Sequence, residues 1–80
     1  MLSEYSIVEF EAPDFVQNVS IANVNIRAKH GITIIAIKRQ DEEGGEIWNI
    51  NPNPSDVIRK DDTLVVLGSN ADIEKFSALK

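Results

Sequence analysis

The apolar positions of this chain fall in short runs whose spacing changes from one segment to the next. Residues 5–11 alternate, with Val8 and Phe10 on one side and polar neighbours opposite, which predicts a half-buried strand. Ala12-Pro13-Asp14 breaks it. Ser20 is placed to cap a short helix whose inner face carries Ile21 and Val24. A second helical turn follows over residues 26–30 and stops at Gly31, a residue that takes positive φ at little cost after a helix. Lys29 and His30 in its last turn suit the negative end of the helix dipole.

Residues 32–37, Ile-Thr-Ile-Ile-Ala-Ile, form the most apolar strand; both of its faces are hydrophobic, which predicts a central position buried on both sides. The polar stretch 40–46, with Gly44-Gly45, reads as a hairpin loop returning through the strand 47–50. Asn51-Pro52-Asn53-Pro54 ends that strand, and Ser55-Asp56-Val57-Ile58 makes at most one helical turn. Asp61-Asp62 is a tight turn into the strand 63–67, which stops at Gly68. Ser69, with Asp72 three residues on, resembles a capping box for a terminal helix with Ile73, Phe76 and Leu79 on one face. The order strand-helix-strand-strand-strand-helix predicts an α+β fold, a mostly antiparallel four-stranded sheet with helices packed against it. No internal repeat or linker divides residues 1–80, which read as a single domain.

Length adds a constraint. A chain of eighty residues buries only about 60–65% of its unfolded surface. With no cysteine there is no disulfide to compensate, so a homodimer is expected. Absence of cysteine fits a reducing cytosol. The longest apolar runs, such as residues 34–37, are too short to span a bilayer, and the first residues lack a signal-peptide pattern. No direct membrane insertion is therefore expected.

Charge sorts the candidate chemistry. The chain carries thirteen carboxylates and a net charge of −5, yet residues 15–40 hold none of the carboxylates while containing Arg27, Lys29, Lys38, Arg39 and the one histidine, His30. A small basic window on an acidic domain suits a compact anion and offers too few phosphate contacts for nucleic acid. Metal binding finds little support, because the adjacent acids Asp61-Asp62 and Asp41-Glu42-Glu43 lack the alternating spacing of a calcium loop. No Gly-x-Ser-x-Gly elbow accompanies His30, and Gly44-Gly45 belongs to no phosphate-binding loop, so no enzyme is expected. What remains is Arg27, whose planar fork could clamp a phosphate beside Thr33, with Ile21, Val24, Ile26, Ile32 and Ile34 as an apolar wall for a base. On spacing alone a plainer account is favoured, in which these cations are solvated over an ordinary aliphatic core.

Two stretches carry a resemblance. One runs through Val19-Ser20-Ile21-Ala22-Asn23-Val24-Asn25-Ile26-Arg27-Ala28-Lys29-His30-Gly31 into the strand ending at Lys38-Arg39; the other is Pro52-Asn53-Pro54 followed by Ile58-Arg59-Lys60-Asp61-Asp62-Thr63-Leu64-Val65-Val66-Leu67-Gly68. In this order they resemble the TrkA-C, or RCK C-terminal, domain of bacterial potassium-transport regulators, over residues 5–78. The resemblance implies a dimeric regulatory domain, with no cofactor, that follows a nucleotide-binding N-terminal domain. The chain would then be a fragment of a cytoplasmic gating subunit, peripheral to the membrane and partnered by a membrane-embedded potassium transporter subunit. The Ktr type within the family implies cyclic di-AMP as ligand at the homodimer interface. By that resemblance Arg27 holds a phosphate, and Ile21, Ala22, Val24 and Ile26 line the adenine. Ile32 and Thr33 contact the ligand, Pro52 closes the pocket, and Asn25 and Ile34 complete the set. Thr33 stands where Ktr-type regulators often place Asn, and Asp61 where the family turn has Gly. Alternatives are a ligand-free structural dimerisation module, the regulatory domain of a cation/proton antiporter, and a site for another anion or a metal ion.

Overall fold

The alternating segment near the start forms strand β1 (Tyr5–Glu11), and the computed structural model, which describes residues 4–79, runs it antiparallel to β6 (Thr63–Ser69). β6 also pairs with β3 (Thr33–Gln40), and β3 with β4 (Glu46–Ile50), giving a four-stranded antiparallel sheet in the order β1-β6-β3-β4. Helices α1 (Ile21–Val24), α2 (Ile26–His30) and α3 (Asn70–Ser77) contribute to a core on one face. The fold is α+β, as the element pattern predicts. Val16, Ile32, Ile58, Leu64, Val66 and Phe76 are its most deeply buried apolar side chains, and Phe10 meets Phe76 edge-on at 5.5 Å between centroids.

Both predicted N-caps form. Ser20 Oγ accepts from the N–H of Asn23 at 3.2 Å, and Ser69 Oγ accepts from the N–H of Asp72 at 3.1 Å. Gly31 closes α2 at φ 74°, its N–H donating to Arg27 O at 3.0 Å. A Cβ there would also lie 2.6 Å from Asp72 Oδ2, so the Asp72 side chain would have to move aside.

The structure corrects four local expectations. Val57 and Ile58 are not helical; they form a short strand, β5 (Val57–Ile58), paired with β2 (Val19–Ser20). Asp56 accepts the N–H of Asn53 at 2.9 Å and so makes a turn, and the β-branched pair beyond it stays extended, with Ile58 O accepting from Asn18 N–H at 2.6 Å. Gly68 does not stop β6. The strand continues to Ser69, and Gly68 lets it pass Ile32, whose Cγ2 would be 2.7 Å from an added Cβ. Leu79 lies beyond the end of α3 at Ser77 and is 40% exposed, off the face shared by Ile73 and Phe76.

The fourth correction concerns β3. A bulge between Ile34 and Ala36 shifts its phase against β6. Ile32, Ile34 and Ile37 thereby all join the core, whereas Ala36 and Lys38 sit beside Val65 and Thr63 on the opposite face. Two apolar faces therefore do not mean two covering layers. Ala36 is buried, yet Ile7, Leu67, Trp48 and Ile50 on the same bare face are exposed.

Candidate functional site

Folding sorts the cations of the acid-free window. Lys38 Nζ pairs with Glu9 Oε1 at 3.1 Å and Glu46 Oε2 at 3.7 Å, and lies 5.4 Å from the Trp48 ring centroid. Arg39 donates from Nε and Nη2 to the two carboxylate oxygens of Asp62, each at 2.7 Å. Burial pushes the Asp62 carboxyl up, but the Arg39 hydrogen bonds, the Arg59 N–H at 2.9 Å and the nearby positive charge outweigh it and hold the group below the ordinary carboxylate range. Both sequence-adjacent cations are thus occupied in structure. Arg27, by contrast, is exposed and has no ion pair or side-chain hydrogen bond among the described residues.

Arg27 borders a groove of about 300 Å³ lined by Ile21, Ala22, Asn25, Ile26, Arg27, Thr33, Ile34 and Pro54. Asn25 shapes it. At φ 51° it takes a left-handed conformation that ends α1 and starts α2, so the chain turns between the pair Ile21–Ala22 and the pair Ile26–Arg27. Ile26 and Ile34 are buried and floor the groove, while Ala22, Asn25, Arg27 and Thr33 are exposed. β4 pairs with residues 36–40 of β3, and among the described residues no strand pairs with residues 33–34 on the side away from β6.

Seven residues expected from sequence therefore come together: Ile21, Ala22, Asn25, Ile26, Arg27, Thr33 and Ile34. Val24 and Ile32 do not join them. Both are buried in the core and lie outside the groove's lining, whereas Ile26 and Ile34, also buried, floor it. Pro52 is also outside the lining, and Pro54 takes its place, fastened by Ala22 N–H donating to Pro54 O at 2.9 Å. Spacing in Asn-Pro-Asn-Pro does not separate the two prolines. The turn made by Asn53 and Asp56, which presents Pro54 toward α1, was the signal available.

No carboxylate lines this groove among the described residues. A hollow of about 260 Å³ against Phe76 and Leu79 includes Glu11 and Asp14, and the polar cleft around Arg39 includes Asp41, Asp61 and Asp62. The acids of the hollow would repel an anion, and those of the cleft are balanced by Arg39, Arg59 and Lys60, so neither offers the carboxylate-free lining of the Arg27 groove. No cluster of three metal-ligating side chains occurs among the described residues. No helix is long and apolar enough to cross a membrane, again among the described residues.

Fold and groove together define a small α+β domain with an apolar recess that, among the described residues, no carboxylate lines and the Arg27 guanidinium edges. A family model described as the TrkA-C domain matches residues 6–80, and the chain belongs to that family. Ktr system potassium uptake protein A of Bacillus subtilis (strain 168) is 45% identical over 73 residues, which make up 91% of this chain and 31% of that protein. The chain thus spans less than a third of that relative's length. The structure of the RCK C domain of the potassium transport protein KtrA, in complex with cyclic diadenosine monophosphate, is similar at a TM-score of 0.79 and 39% identity, covering 94% of this chain and 82% of that one. The RCK_C domain dimer of S. agalactiae BusR in complex with c-di-AMP shares the fold at a TM-score of 0.72 and 23% identity, covering 94% and 89%.

Proposed function

We propose that this domain is a non-enzymatic sensor that binds cyclic di-AMP between two copies of itself and so regulates potassium uptake. The observation that carries the reading is the groove: an apolar floor, no lining carboxylate, and Arg27 without a partner among the described residues. Similarity to a KtrA domain solved with this nucleotide supports it. Cyclic di-AMP is two-fold symmetric and dianionic, so a two-fold protein interface offers it two equivalent arginines. Each phosphate contact with Arg27 would contribute about 1.5–3 kcal/mol.

In this reading the chain works as the regulatory part of a longer cytoplasmic subunit, attached to a membrane-embedded transporter through the remainder of that subunit. Ligand changes transport by binding one gating state better than another. Titration calorimetry of the purified chain with cyclic di-AMP, against cyclic di-GMP and AMP, tests the proposal. Selective binding of one ligand per two chains is expected. Absence of heat and of any thermal shift overturns it.

The bare sheet face, with Ile7, Leu67, Trp48 and Ile50 exposed, favours a second reading: a dimerisation module that binds no small molecule. That module would form a dimer of equal strength with and without nucleotide.

A further inference from the structure

We infer that Asn25 reads the base of the bound nucleotide and selects adenine over guanine. The inference rests on the cyclic di-AMP reading above and assigns a role within that site.

Asn25 lines the groove and is exposed. Its backbone is held at both ends: its N–H donates to Ile21 O at 3.1 Å, and its carbonyl accepts from Lys29 N–H at 3.0 Å. Its side chain does not cap α2 and makes no hydrogen bond among the described residues. The amide is therefore fixed at its root and free at its tip. The other lining side chains with polar groups are Arg27, which only donates, and Thr33, with one hydroxyl. Among the described lining side chains, Asn25 is the one that presents a donor and an acceptor in one plane. Adenine shows the complementary pair on one edge, the N6 amine and the N7 acceptor; guanine shows two acceptors there, O6 and N7. An amide satisfies both atoms of the first edge and only one of the second, while the apolar floor accepts either ring.

A plainer reason for Asn here is its tolerance of φ 51°. Asn25→Gly separates the two, because glycine keeps the left-handed backbone and removes the amide. By calorimetry this variant is expected to bind cyclic di-AMP about 10- to 100-fold more weakly, since each protomer gives up a neutral hydrogen-bonding group. Its preference over cyclic di-GMP should fall by the same factor. The unmodified chain supplies a second test that needs no variant. Cyclic di-IMP replaces the N6 donor by an acceptor and is expected to bind about 10- to 100-fold more weakly than cyclic di-AMP. Equal affinity for cyclic di-AMP and cyclic di-IMP, or an Asn25→Gly chain with unchanged affinity and preference, overturns base reading and leaves the sensor standing. No binding of cyclic di-AMP by the unmodified chain overturns both.

Discussion

Replacing Arg39 by Met should destabilise the domain strongly at neutral pH and weakly in acid. The Asp62 side chain is 1% exposed and receives both Arg39 hydrogen bonds plus the Arg59 N–H. The pair ties β3 to the turn before β6. Without the guanidinium, a buried carboxylate keeps one donor. Breaking a buried pair from one side costs about 3–5 kcal/mol. The Arg39 side chain is itself 37% exposed, so solvent screens part of the attraction, and about 2–3 kcal/mol is the expected loss. For a domain of this size that lowers the melting temperature by roughly 10–20 °C. The folded pKa of Asp62 is depressed, so the stability the pair contributes is present above the unfolded carboxyl value of about 3.9 and is lost as pH falls through the folded value. Urea unfolding followed by circular dichroism at pH 7 and pH 3 measures the difference. The gap between the two chains should shrink in acid. A gap of under about 0.5 kcal/mol at pH 7, the size of an ordinary surface substitution, or one that is the same at both values, would refute the reasoning.

Arg27→Ala should weaken cyclic di-AMP binding by about 10- to 100-fold while changing stability by under about 0.5 kcal/mol, measured by calorimetry and thermal melting; a large loss of stability would show a structural role. Gly31→Ala should cost about 1–2 kcal/mol from its φ of 74°, and more from the clash with Asp72. Adding Asp72→Ala should recover only the steric share, read from urea midpoints. Asp61→Gly should raise stability by about 0.5 kcal/mol, the relief of a φ of 73° exceeding the entropy glycine adds to the unfolded chain; a lowered melting temperature would count against it.

How much of this could be read from sequence depends on how local each signal is. Ser20, Ser69 and Gly31 act within one helical turn, and their roles followed from residue type and spacing. β2 and β5 did not, because two-residue strands have no period and their pairing links residues far apart in the chain. The β3 bulge was hidden for a related reason. A run with apolar residues on both faces looks the same whether two layers cover it or one residue slips the phase. Gly68 was read as a stop because glycine ends strands more often than it lets a neighbour such as Ile32 come close. Among site residues, Arg27 and Thr33 stand out by type, and helical spacing puts Val24 on an inner face, whereas only the fold decides which buried residues also line the groove.

The acid-free window has a sharper meaning in three dimensions than along the chain. Lys38 and Arg39 find their acids on distant strands and turns, so a gap in sequence did not leave them free. Arg27 is different, since no carboxylate lines its groove among the described residues. If that neutrality is what prepares the groove for an anion, one carboxylate should undo it. Ala22 is exposed on α1 and lines the groove, so Ala22→Glu adds a charge without disturbing the core. The new carboxylate would compete for the Arg27 guanidinium and repel the dianion. Cyclic di-AMP affinity should fall at least as far as in Arg27→Ala, about 10- to 100-fold, with the loss growing at low salt, where screening is weak. Ala22→Gln, of the same size and without charge, should keep most of the binding. Equal losses in the two variants would place the effect in bulk rather than charge, and the electrostatic account of the groove would fail.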